Sequence, residues 1–318
     1  MIVDLPSTDT SAVNRKLVDL RDSAGAVALG RVLTLVISTE DGPGAEAAIQ
    51  AANDASREHP CRVLVLARGI RRAASRLDAQ IRIGGDAGAS EVIVLRMYGP
   101  LADQGGSIIV PLLLPDAPIV AWWPGEPPPS PTDDPIGAVA SRRITDVASG
   151  RTPTKSLARL ASHYSPGDTD LAWSRITSWR ALLTSALDQP PYERITAASV
   201  DGVADSPSVD LIAGWLSSRL GVTVTRSVVD VPGGHVGAVR LERPSGPVEL
   251  RRLDGKNAQL RQPGQPDRRV ALSRRTQREC LAEELRRLDP DETFDEALQA
   301  VAATRSATRS RPRKKVTL

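Results

Sequence analysis

Cysteine is almost absent from this 318-residue chain. Cys61 and Cys280 are the only two, and they lie far apart in the sequence. A CxxC motif, a disulfide framework and a cysteine-based zinc site are therefore excluded, and we expect a chain without a metal centre. Because structural disulfides are rare where thiols stay reduced, the composition predicts a cytoplasmic protein.

Long hydrophobic runs are also missing. The most apolar stretch, residues 108–123, is broken by three prolines and Asp116. The first residues, MIVDLPSTD, contain Asp4 and lack the basic segment that begins a signal peptide. The sequence therefore predicts neither a signal peptide nor a transmembrane helix.

The net charge of the chain is small, because 41 basic residues are nearly balanced by 38 acidic ones. A group of basic side chains lies in residues 304–318, which contain no acid and no apolar periodicity, so we expect a disordered basic tail there. The rest of the chain is slightly acidic, which makes nucleic acid an unexpected partner. Recruitment of RNA or an acidic protein by the tail is an alternative to a purely solubilising role.

The first half of the chain predicts a mixed α/β sheet. Near-continuous apolar runs such as LTLVIS and RVLVLA are typical of strands buried on both faces, and an Ala-rich helix lies between them. We expect an N-terminal segment over residues 1–24 and an α/β domain over residues 25–164. The proline-rich segment 124–135 is predicted to be a loop in that domain.

The second half predicts an α+β domain over residues 165–303, with a largely antiparallel sheet and flanking helices. Up to five short strands are joined by turns such as PSG and LDGK. Ser206 and Pro207 have the features of a helix N-cap and first residue, and Gly221 suits the C-terminal end. Thr276 and Glu279 have the spacing of a capping box.

Catalytic and nucleotide-binding signatures have no match. GxxxxGK[ST], GxGxxG, GxSxG, SxxK and HExxH are all absent, so we predict no catalytic residue and no cofactor. Gly105 and Gly106 precede a predicted helix that begins near Ser107, and amides in such a place could hold an anion such as a sugar phosphate. A plain connecting turn is the alternative interpretation. The anion interpretation leads to a sugar-phosphate-binding enzyme or sensor.

The nine aromatic residues include five tryptophans, and their positions favour interfaces. Trp122 and Trp123 are adjacent on a predicted strand, so their rings should point to opposite faces of the sheet. Either helices cover both faces, or one ring is left for a partner. Leu211 and Trp215 form a second apolar stripe on their helix. The predicted partner-binding residues are Trp122, Trp123, Arg142, Arg143, Trp173, Leu211 and Trp215.

Longer runs carry a resemblance to a known family. GRVLTLVIST, PDAPIVAWWPGE, YSPGDTDLAWSRITSWRALLTSALDQPP and DSPSVDLIAGWL occur in that order. In these runs the chain resembles the actinobacterial OpcA family of glucose-6-phosphate dehydrogenase assembly proteins, from about residue 1 to 300. The resemblance implies a non-catalytic partner that promotes assembly and activation of glucose-6-phosphate dehydrogenase in the oxidative pentose phosphate pathway. The family offers no catalytic motif to transfer.

Overall fold

The computed structural model describes residues 1–23, 32–83, 91–231 and 235–310. The strands, in chain order, are β1 Ile2–Leu5, β2 Leu33–Glu40, β3 Cys61–Arg68, β4 Arg76–Ile83, β5 Glu91–Tyr98, β6 Ile119–Trp123, β7 Arg142–Thr145, β8 Asp168–Asp170, β9 Ala197–Gly202, β10 Val224–Val228, β11 Val236–Glu242, β12 Val248–Arg252, β13 Asn257–Arg261 and β14 Arg268–Ala271. The helices are α1 Thr10–Ser23, α2 Pro43–Ala55, α3 Gly105–Ile109, α4 Pro153–Ser162, α5 Leu171–Arg175, α6 Thr177–Leu187, α7 Pro207–Leu220, α8 Gln277–Arg286 and α9 Glu292–Ser310.

The chain forms two compact units, and each takes its residues from separate stretches of the sequence. Unit 1 contains residues 1–150, 165–171 and 276–290, whereas unit 2 contains 151–164, 172–275 and 291–318. The sequence instead predicts a single boundary between residues 164 and 165, and this boundary between folding domains stays a prediction.

Unit 1 is built on an eight-stranded mixed sheet in the order β1-β4-β5-β3-β2-β6-β7-β8. β1 and β4 pair antiparallel with their neighbours, and the remaining neighbours pair parallel. Along β2, Leu35 and Ile37 belong to one hydrophobic cluster while Val36 belongs to another. Both faces of the central strands are thus covered, as their continuous apolar sequences predicted.

Unit 2 contains a six-stranded sheet in the order β10-β9-β11-β12-β13-β14. All of its neighbours pair antiparallel except β9 and β10, which are parallel. The prediction of an α/β sheet followed by a largely antiparallel α+β sheet is therefore confirmed.

The helix termini follow the predicted signals. The Ser206 side chain accepts a hydrogen bond from the Val209 amide, and Gly221 closes α7 with a φ of 63°. Thr276 and Glu279 form the reciprocal bonds of a capping box at the start of α8. Capping groups of this kind satisfy backbone amides and carbonyls that the helix itself leaves without partners.

Two helical predictions need correction. The segment near residues 103–114 contains only the short α3, followed by a 3-10 turn at Val110–Leu112, because Pro111 cannot continue the backbone hydrogen bonds of an α-helix. α9 runs to Ser310, through the first part of the predicted disordered tail. Its Ala-rich sequence has no helix breaker before Pro312. Residues 311–318 of that tail lie outside the described residues.

Candidate functional site

The adjacent tryptophans of β6 point to opposite faces of the sheet in unit 1, as alternation requires. Trp122 packs in the hydrophobic cluster that includes α2 and α8, and Trp123 packs in the cluster on the other side. Both side chains are fully buried. Each indole Nε1 is buried without a hydrogen-bond partner among the described residues. Neither ring presents surface to a partner, so the interpretation with both faces covered describes this pair.

Arg142 and Arg143 on β7 are buried in ion pairs. Arg142 Nη2 lies 2.5 Å from Glu284 Oε2, and its Nη1 donates to the Asp289 carbonyl at 2.8 Å. Arg143 pairs with the buried Asp168. Burial raises the pKa of Asp168, although its hydrogen bond with Arg143 acts in the opposite direction. Both arginines therefore hold unit 1 together rather than projecting from it.

Trp173, Leu211 and Trp215 lie in unit 2. Trp173 is buried, and its Nε1 donates to Asp291 Oδ2 at 2.8 Å. Leu211 is also buried on α7, whereas Trp215 on the same helix is partly exposed. Of the seven predicted contact residues, Trp215 alone keeps accessible surface. The other six are buried in this structure, so their role at an interface stays a prediction and the proposal below uses Trp215.

The glycines before α3 have a packing explanation. A Cβ on Gly106 would lie 2.8 Å from Pro135 Cβ, and one on Gly105 would lie 3.0 Å from Leu66 Cδ1. The Ser107 hydroxyl donates to the Gln104 carbonyl at 2.9 Å. Close approach therefore accounts for the two glycines without a bound anion, and α3 is only five residues long.

The carboxyl ends of the parallel strands, where open α/β sheets commonly bind ligands, carry a network of ion pairs. Arg68 Nε lies 3.2 Å from Glu40 Oε1, and Arg96 Nε lies 3.4 Å from Asp41 Oδ1. Asp41 and Glu40 precede α2, so carboxylates occupy the region that a phosphate would take in a dinucleotide-binding fold.

A different pocket, which the sequence analysis missed, lies in unit 2. Its volume is about 120 Å³, and we call it the arginine pocket. Its wall contains residues from α5, α6, α7, β11, β12 and the segment after β14: Arg175, Ile176, Trp179, Ser208, His235, Val236, Arg252, Arg274 and Arg275. No carboxylate belongs to this set of described residues. The sequence feature that could have indicated this pocket is two pairs of adjacent arginines, at 251–252 and 274–275, each near the end of a predicted strand.

Arg252 is the best-defined cation of the arginine pocket. Its guanidinium lies over the buried Trp179 ring, with Cζ 5.5 Å from the ring centroid. Nη1 donates to the Leu272 carbonyl at 2.7 Å, while the buried Nε has no hydrogen-bond partner among the described residues. Burial lowers the pKa of Arg252, and the nearby charge of Arg274 lowers it further. The group still stays charged at neutral pH.

The described residues contain no group of three or more His, Cys, Asp or Glu placed to hold a metal ion. They also contain no helix long and apolar enough to cross a membrane.

Comparison with protein families identifies both halves of the chain. A model described as the C-terminal domain of the glucose-6-phosphate dehydrogenase subunit matches residues 166–298. Its N-terminal counterpart matches residues 52–162. The chain belongs to the OpcA family. The resemblance inferred from the sequence runs is thereby confirmed.

Individual relatives are more distant from this OpcA protein. The putative OxPP cycle protein OpcA of Synechocystis sp. is 27% identical over 144 residues, which take in 41% of this chain and 29% of that protein. This chain thus matches less than a third of that relative's length. A crystal structure titled glucose-6-phosphate 1-dehydrogenase from Mycobacterium avium aligns over 88% of this chain and 93% of that one, with 13% identity and a TM-score of 0.42. A likeness at that level carries no conclusion about fold or activity.

Proposed function

We propose that this OpcA protein is a non-catalytic, cytoplasmic partner that promotes assembly and activation of glucose-6-phosphate dehydrogenase in the oxidative pentose phosphate pathway. The observation that carries the proposal is the match of both halves to domains described as parts of a glucose-6-phosphate dehydrogenase subunit. The Synechocystis relative, described as a putative OxPP cycle protein, supports the same pathway.

The physical requirement for such an activator is modest. It must bind the active state of the dehydrogenase more tightly than the inactive state, because equal affinity for both shifts nothing. A tenfold shift of that equilibrium needs a differential affinity of about 1.4 kcal/mol. A single hot-spot side chain can supply this difference.

Trp215 is the contact residue that we retain from the sequence analysis. Tryptophan is enriched at interface hot spots, and this one is partly exposed on α7. Trp122 differs from Trp215 in this respect, because its side chain is completely buried in unit 1 and has no exposed surface for a partner.

Light scattering after size exclusion, combined with a turnover assay, tests the proposal. Purified dehydrogenase is measured alone and with the 318-residue chain, and we expect a complex of larger mass and a higher rate. Unchanged mass and rate would refute the proposed role.

Variants locate the contact. Trp215→Ala should weaken the complex by about tenfold or more. Because Trp215 is only partly exposed, a melting curve of the variant checks that unit 2 remains folded under the assay conditions. Tyr192→Ala is the matched control, since Tyr192 is an aromatic residue of the same unit that is 78% exposed. If both variants lose the same affinity, or if Trp215→Ala loses none, Trp215 does not belong to the interface. The assembly role would then be judged from the wild-type measurement alone.

A further inference from the structure

We propose that the arginine pocket of unit 2 binds the phosphate group of a small molecule. This inference is independent of the proposed function, since it concerns binding by the chain alone.

The chemistry of the wall favours an anion. Four guanidinium groups, an imidazole and an indole line the pocket, and no carboxylate is among these described residues. A guanidinium presents a planar set of N–H donors that matches two oxygens of a phosphate or carboxylate at once. Several such groups around one cavity favour a dianion, which phosphate supplies and a single carboxylate does not.

Arg252 provides the donor on which the proposal depends. Its guanidinium lies over Trp179, which restricts the side chain, and the Leu272 carbonyl fixes one end of the group. The Nε–H is buried and has no acceptor among the described residues. Nε itself is closed to solvent in this structure. A buried donor without an acceptor is costly, so an oxygen that reaches it after a shift of the side chain gains more than at a solvated arginine.

The carboxylate nearest in sequence to Arg252, that of Asp254, is engaged elsewhere. Its Oδ1 accepts hydrogen bonds at 2.7 Å from the amides of Lys256 and Asn257 in the turn between β12 and β13. Arg252 donates to the Asp254 backbone carbonyl at 3.2 Å. The Asp254 carboxylate raises the pKa of Arg252, but burial and the charge of Arg274 outweigh it, and the net direction is downward.

The start of α7 adds to the positive potential. Ser208 is the second residue of this 14-residue helix and lines the pocket. The helix dipole places partial positive charge at that end, which favours an anion. The Ser208 hydroxyl itself donates to the Ala172 carbonyl at 3.3 Å, so its oxygen remains as a polar group beside the ligand.

The volume limits the ligand. Pockets for drug-sized molecules are about 300–1,000 Å³, whereas this one is about 120 Å³. It accommodates one phosphate group, and any sugar attached to that phosphate would stay outside.

Isothermal titration calorimetry with the full-length chain at low ionic strength tests the proposal. Inorganic phosphate should bind with a stoichiometry of one per chain, and succinate should bind at least about tenfold more weakly. Glucose 6-phosphate distinguishes the sources of the group. An affinity equal to that of inorganic phosphate means that the pocket recognises phosphate alone, and a tighter one means that the sugar contributes. Both results support a phosphate site.

Matched variants assign the binding to the pocket. Arg252→Gln should weaken phosphate binding by about tenfold or more, and Arg252→Lys should restore part of it. Arg251→Gln is the control, because Arg251 is the neighbouring residue of β12, is exposed and pairs with Glu249 at 2.6 Å. Where Arg252→Gln lowers the melting temperature, Arg274→Gln replaces it, since Arg274 is exposed at the mouth of the pocket.

Three results would overturn the inference: no saturable heat with phosphate, tighter binding of succinate than of phosphate, or equal loss in Arg251→Gln and the pocket variants. Because no dehydrogenase is present in this experiment, its failure would leave the proposed assembly role standing.

Discussion

Arg142 and Glu284 meet in a buried ion pair that joins β7 to α8, with 2.5 Å between Nη2 and Oε2. Their side chains are 3% and 4% exposed. Arg142 also donates to the Asp289 carbonyl just beyond α8. One guanidinium therefore fixes a late segment of the chain against a strand that precedes it by more than a hundred residues.

Removal of Arg142 should be strongly destabilising. Arg142→Ala leaves the buried Glu284 carboxylate without this guanidinium, which typically costs about 3–5 kcal/mol of unfolding free energy. Urea denaturation followed by circular dichroism measures the loss. Arg286→Ala on the same helix is the control, because the Arg286–Glu58 pair is exposed and should contribute less than about 1 kcal/mol. Similar losses in the two variants would contradict the importance of burial.

Gly214 should not tolerate a side chain where α7 meets α9. A Cβ there would lie 2.2 Å from the Ala297 carbonyl oxygen and 2.9 Å from Val301 Cγ2. Gly214→Ala should therefore destabilise unit 2 by about 1–3 kcal/mol despite the better helix propensity of alanine. Gly44→Ala in α2 is the comparison, since a Cβ at that position meets nothing within 4 Å. A neutral Gly214→Ala variant would show that the two helices can separate at no cost.

Asp254 should titrate at unusually low pH. Hydrogen bonds from the Lys256 amide, the Asn257 side chain and the Asn257 amide lower the pKa of Asp254 from 3.8 to about 2. Its contribution to stability is therefore fully present above pH 3.8 and is lost as the pH falls towards 2. NMR titration of the Lys256 and Asn257 amides measures the midpoint. Asn257→Ala should move that midpoint upwards, and a wild-type midpoint near 3.8 would contradict these bonds.

Cys61 and Cys280 should resist thiol reagents in the native protein. Both are completely buried and belong to the same hydrophobic cluster of unit 1, on β3 and α8. Reaction requires an accessible thiolate, so labelling should follow unfolding rather than reagent concentration. Ser218→Cys provides an exposed reference thiol on α7. Immediate labelling of the wild-type chain would show that α8 leaves this sheet under native conditions.

Local patterns predicted the elements well, because they depend on neighbouring residues. The alternation of Trp122 and Trp123 and the cap at Ser206 were visible in the sequence, and the structure has both. Long-range partners were not visible. The capping box and apolar stripe of α8 predicted a helix, but nothing in that segment indicates that it packs on the sheet of the N-terminal half.

The burial of the predicted contact residues was not visible in the sequence for a related reason. Arg142 and Arg143 were predicted at an interface because arginine is enriched among interface hot spots. In the structure Glu284 and Asp168 pair with them inside unit 1. The arginine pocket escaped notice because its residues are spread between positions 175 and 275. The two pairs of adjacent arginines were its only indication in the sequence, and such a pair is far more often solvated at the surface.

The late position of α8 has a consequence for synthesis of the chain. Cys280, Leu281, Ala282 and Leu285 complete the hydrophobic cluster that covers one face of the eight-stranded sheet. A ribosome that has made all eight strands must still translate about a hundred residues before this cover exists. Until then the nascent sheet exposes an apolar surface, so a chain truncated after residue 275 should aggregate or remain bound to chaperones.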